Sequence, residues 1–83
     1  MPAIELSSHT QDMLRERNIP EEWVWRTLDS PDTKKKHVND DNMHYTKAIK
    51  ERDGRVLHVV VNTNVWPNRV VTVFFDRRLG KKP

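Results

Sequence analysis

Four histidines, one tyrosine and a surplus of lysine and arginine are the side chains of this 83-residue chain best suited to moving protons or holding a phosphate. His9, His37, His44 and His58 are the groups whose ordinary titration falls nearest neutrality. With no cysteine there is no thiolate nucleophile or thiolate metal ligand. No two histidines stand at i, i+4 beside a glutamate, and no histidine–carboxylate cluster has metal spacing, so neither a metal nor a cofactor is expected. Gly54 and Gly80 are too few for a glycine-rich phosphate loop, and no strand–turn–helix elbow presents a serine. The chemistry left open is metal-independent cleavage of RNA. A 2′-hydroxyl attacks its own phosphodiester when a base takes its proton, a cation stabilises the phosphorane and an acid protonates the leaving oxygen.

His9, His44, His58 and Tyr45 are the candidate proton carriers, and Lys47, Arg69, Arg77 and Arg78 the candidate charge stabilisers. Each has a plainer alternative. His9 at the start of a helix can pack or hydrogen-bond against a sheet, and Tyr45 can be a core-edge ring with a wet hydroxyl. Arg69, Arg77 and Arg78 can be solvated strand ends. Trp66, in a polar loop beside Pro67, can stack on a base, anchor a protein partner or fold back over the sheet edge.

The charge is unevenly placed. Net charge is +3, yet residues 1–32 carry three arginines against seven acids while residues 33–83 carry twelve cations against five acids. A balance of −4 at the front and +7 behind suggests a face for a polyanion or an acidic partner. An ordinary basic surface gives the same numbers. The N-terminus lacks an apolar signal core, and no apolar run approaches the roughly 20 residues that span a bilayer. The expectation is a single soluble cytoplasmic domain over 1–83, with no membrane partner and a flexible basic tail over 77–83.

The elements that must position these side chains centre on two β-branched, aromatic runs, 55–62 and 69–76, which read as strands separated by the loop with Pro67. Ahead of them, residues 3–7 alternate and suit a short strand or an extended lead-in. Ser8 and Gln11 match a capping box, so a helix should run to about Arg17, burying Met13 and Leu14. Asn18 suits the left-handed end of that helix. A second helix should start at Pro20, with Glu21 and Glu22 in its first turn, and stop at Ser30-Pro31-Asp32. Residues 33–38 read as a lysine-rich edge strand or a loop, and 43–51 as a strand.

Register at the Asp53-Gly54 turn decides which side chains share a face. A three-residue bulged loop pairs Glu51 with Arg55 and Ile49 with Leu57. It alone places Tyr45, Ile49, Leu57, Val59 and Val61 together. Val71, Val73 and Phe75 should join them beneath the helices. The opposite face, Val56, His58, Val60, Val70, Thr72 and Phe74, should be partly open and is the first place to seek a function. The fold class expected is α+β, two short N-terminal helices on one face of a three- to four-stranded antiparallel sheet.

His9, Arg17, Ile19 and the Pro31-Asp32 stop, followed by Tyr45-Thr46-Lys47, Gly54, Leu57 to Val61 and Val71-Thr72-Val73, resemble a bacterial family catalogued as domain of unknown function 4258. Thr10, Met13, Leu14 and Asn18 depart from its helical pattern. The resemblance implies a fold similar to RelE-type toxins, which cleave mRNA on the ribosome. It adds Arg17 to the catalytic candidates, which are then His9, Arg17, Tyr45, Lys47 and His58. The nucleic-acid candidates are Trp66, Arg69, Arg77 and Arg78. Two functions stay open. One is an RNA-directed, toxin-type ribonuclease acting on RNA or the ribosome. The other is a non-enzymatic module that binds a protein, antitoxin-like, through the open sheet face, the Trp66 loop or the acidic helices.

Overall fold

The two β-branched runs form β4 (Arg55–Asn62) and β5 (Asn68–Asp76), an antiparallel pair inside a five-stranded sheet. The computed structural model describes residues 4–36 and 41–77. Ahead of this pair lie β1 (Ile4–Leu6), α1 (Ser8–Glu16), α2 (Glu21–Asp29), β2 (Thr33–Lys36) and β3 (Met43–Ile49). Sheet order is β1-β5-β4-β3-β2. Among the described residues the class is α+β with two helices, as the residue patterns indicate, but the sheet is larger than expected and mixed. β1 joins as a fifth strand, parallel to β5. No hairpin links β1 to β5, so no local turn dictates its direction.

The helix ends follow local chemistry, with the start of α1 shifted by one residue. The expected cap is Ser8, and the observed one is Ser7, whose hydroxyl accepts from the Thr10 amide at 3.1 Å. Asn18 takes the left-handed conformation (φ 55°) and the Ile19 amide bonds back to the Leu14 carbonyl. Pro20 precedes α2, with Glu21 and Glu22 in its first turn. Trp23 and Val24 point into the core while Trp25 is exposed and bonds Glu21.

Both helices lie on the same side of the sheet. Leu14, Ile19, Trp23 and Val24 pack on Tyr45, Ile49, Leu57, Val59, Val61, Val70 and Val73 as one cluster. Phe75 meets Trp23 edge-on at 6.3 Å, and the Arg52 guanidinium lies over both rings. Parity at the Gly54 turn is as expected, but register differs. Ile49 pairs with Arg55 and Tyr45 with Val59, because the loop is a 3₁₀ turn, Lys50–Arg52, followed by Asp53 and Gly54 at φ 57° and 78°. A shift of two residues keeps every side chain on its face.

In β5 a bulge opposite Val60 and Val61 changes the pattern. It turns Val70 into the core and leaves Val71 exposed, the reverse of the alternation expected for these two. α1 runs along β5, whose outer edge is paired with β1 only over Asn68, Arg69 and Val70. The Thr10 hydroxyl donates to the Val70 carbonyl at 2.9 Å and Arg17 to the Val73 carbonyl at 2.7 Å. These side chains satisfy edge acceptors that a strand would otherwise take. Among the described residues, no helix is long and apolar enough to cross a membrane. Of the 77–83 tail only Arg77 is described; His37 and Arg78 also lie outside the described residues.

Candidate functional site

On the sheet face away from the helices, a diagonal of three polar side chains crosses three strands. Alternation places His44 on β3, His58 on β4 and Asp76 on β5 on that face, each two pair-levels removed from the next. His44 Nδ1 lies 2.7 Å from His58 Nε2, and His58 Nδ1 lies 3.2 Å from Asp76 Oδ2. The side chains of His58 and Asp76 are 13% and 4% exposed. When Asp76 is ionised and His58 neutral, His58 donates through Nδ1, its Nε2 accepts, and His44 donates through Nδ1.

The surroundings hold the middle ring still. Phe74, directly opposite on β5, stacks on His58 at 4.8 Å and 21°. Thr46 is its partner on β3, and the Thr46 hydroxyl bonds that of Thr33 on β2. His44 meets His58 edge-on, ring centres 4.9 Å apart. One strand further out, Lys35 pairs with His44 and so shares its face, exposed to solvent. The result is a carboxylate, two imidazoles and a cation in sequence across β5, β4, β3 and β2. Such a chain can accept a proton at one end and stabilise it at the other.

This face is less open than its residues suggest. Val56 and Val60 are 7% and 4% exposed, so the expected apolar opening is absent there. Among the described residues, no three His, Asp or Glu side chains form a metal site.

The five catalytic candidates do not converge. His58 sits in the diagonal, whereas His9 is exposed on α1. Arg17 braces the β5 edge. Tyr45 is buried among the core residues, with Lys34 over its ring. Lys47 donates to the Ser30 carbonyl at 2.8 Å and faces Asp32 at 3.9 Å, fastening the end of α2 to β3. Among the nucleic-acid candidates, Arg69 pairs with Glu5 at 3.4 Å, Arg77 is exposed just past Asp76, and Trp66 projects from its loop.

His44 was legible as a proton carrier, but Asp76 and Lys35 carry no sequence signal that sets them apart. The one available clue is parity. An aspartate ending an apolar strand on the same even-numbered face as Thr72 and Phe74 has to find a partner there.

Compared with known families, the chain matches one described as Domain of unknown function (DUF4258) over residues 6–75, a span that includes His44 and His58. No curated protein and no solved structure matches it.

Proposed function

We propose that the chain, which belongs to the DUF4258 family, is a small RNA-directed protein acting as a metal-independent ribonuclease, in the manner of the RelE-type toxins whose fold the family resemblance implies. One observation supports this above the others: Asp76, His58 and His44 form a continuous hydrogen-bond chain, with Lys35 paired across from His44. Of the five catalytic candidates, only His58 belongs to it.

In this reading the 2′-hydroxyl of RNA gives its proton to the His44 imidazole as the 2′-oxygen forms a bond to phosphorus. His44 in turn passes its Nδ1 proton to His58 Nε2, and Asp76 stabilises the imidazolium so formed. Lys35 offsets the charge on the phosphorane. The bond from phosphorus to the 5′-oxygen then breaks, and the leaving oxygen takes a proton from water. The products are a 2′,3′-cyclic phosphate and a 5′-hydroxyl. General acid–base catalysis of this type contributes about 10²–10⁴-fold.

The alternative, a protein-binding module on an open sheet face, is weakened by the burial of Val56 and Val60. The deciding experiment is incubation of RNA with the purified protein in the presence of a chelator, with product ends identified by mass. Cyclic phosphate ends that disappear with His44→Ala and His58→Ala support the reading. No cleavage of any RNA, together with no measurable RNA affinity, defeats it.

A further inference from the structure

We infer that the loop between β4 and β5 is a stacking platform for single-stranded RNA, with the Trp66 indole covering one base face. This deepens the RNA-directed reading and rests on it. Trp66 is 75% exposed, the most exposed of the chain's large apolar side chains among the described residues. A tryptophan normally hides its large apolar surface.

The loop that presents it is tied down. The Asn64 amide donates to the Asn62 side chain at 2.9 Å, and the Asn64 side chain donates to Asp41 at 3.0 Å, joining the loop to the residues just before β3. A ring held out on a braced loop gives up little freedom when something stacks on it.

Two features favour a nucleobase over a protein as the occupant. The first is size. In this loop the exposed large apolar groups are Trp66 and Val65, the latter 38% exposed. A stable protein interface takes about 800 Å² from each partner and carries an apolar centre, far more than one indole and one isopropyl group supply. One indole face is the size of one base. The second is charge. Strand register puts Lys36 and Arg69 at the same end of the sheet as this loop, Lys36 level with Met43 and Arg69 level with Asn62. Their partners, Asp41 at 3.1 Å and Glu5 at 3.4 Å, are exposed surface acids. Exposed pairs of this kind are weak and exchange readily for phosphate. A strand stacked on Trp66 therefore has cations on both sides for its backbone. Bases in a duplex are already stacked on each other and have no free face to offer, so the platform selects single strands.

The test uses 2′-O-methyl oligonucleotides, which cannot be cleaved, as a single strand and as the matching duplex, with affinity followed by fluorescence anisotropy at fixed salt. The single strand is expected to bind more tightly. Trp66→Ala should weaken it by roughly 10- to 100-fold while leaving duplex affinity unchanged. Trp66→Phe should keep most of the affinity, because a phenyl ring still stacks. Circular dichroism of each variant verifies that the fold persists. Single-strand affinity unaffected by Trp66→Ala overturns the platform but leaves RNA binding standing. Self-association that depends on Trp66, seen by sedimentation, also overturns it, in favour of a protein partner. A wild-type protein that binds neither oligonucleotide overturns both this inference and the RNA-directed reading.

Discussion

His44 Nδ1 and His58 Nε2 are 2.7 Å apart, a distance at which two imidazole nitrogens share one proton. When Asp76 is ionised and His58 neutral, Asp76 accepts from His58 Nδ1 and His58 Nε2 is the acceptor toward His44. A carboxylate on β5 is thus linked to a ring on β3 through a ring on β4. The three strands meet in this register only because the β3–β4 loop and the β5 bulge have the lengths they do.

Replacing Asp76 tests that link. Asp76→Ala removes a buried acceptor, and a buried partner left unsatisfied costs about 1–3 kcal/mol. Urea denaturation should show a loss in that range. Imidazole ¹⁵N shifts should show His58 moving away from the Nδ1–H form. An unchanged tautomer in the variant would mean that Asp76 does not orient the pair.

Gly54→Ala addresses the loop that sets the register. Gly54 has φ 78°, and a Cβ built there meets no atom within 4 Å. The penalty is therefore conformational alone, about 1–2 kcal/mol for an L-residue in the left-handed region. Thermal or urea unfolding should show a loss of that size with the fold unchanged. A much larger loss would point to a steric role that the geometry lacks.

Residue types along the strands disclose parity but not register. Tyr45, Ile49, Leu57, Val59 and Val61 have to share a buried face, and they do. That requirement is met equally by pairing Ile49 with Leu57 or with Arg55, because the two differ by a full period of the pleat. The choice rests on a 3₁₀ turn of Lys50, Glu51 and Arg52, three residues whose types do not announce one. The bulge that exchanges Val70 for Val71 is equally silent, since both are valine. Asp76 stayed hidden for a different reason. A carboxylate at a strand end looks solvated until its distance from a histidine on the neighbouring strand is known.

Arg17 and Thr10 supply a prediction that separates structure from chemistry. Both donate to carbonyls on β5, Val73 and Val70 respectively. Thr10→Val deletes a buried hydroxyl while keeping its shape, and should cost about 1 kcal/mol; Arg17→Ala should cost a similar amount through its bond to the strand edge. Neither residue touches the His44–His58–Asp76 chain, so RNA cleavage per folded molecule should be unchanged in both. Loss of cleavage in Arg17→Ala at preserved stability would return Arg17 to the catalytic set.

The pairing of Arg26 with Glu51 carries the pH prediction. Arg26 presents both terminal nitrogens to the Glu51 carboxylate, at 2.9 and 3.0 Å, joining α2 to the β3–β4 loop. Hydrogen bonding from Arg26 is the main cause that lowers the Glu51 carboxyl from its usual 4.5 to about 2. A depressed folded-state value means that the unfolded chain binds the proton more readily. The stabilisation from this pair is therefore complete above about 4.5 and is lost as pH falls toward 2. The Glu51 side-chain carbon, followed by NMR, should titrate near 2 in the wild type and higher in Arg26→Ala, where the backbone hydrogen bond and Lys50 still lower it. The stability difference between the two proteins should shrink across that window, and also in 1 M salt, where screening acts within about 3 Å. A Glu51 midpoint that ignores Arg26→Ala would show that the pair does not hold in solution and that the register-setting loop is anchored by Arg52 and its contacts with Asn18, Trp23 and Phe75 instead.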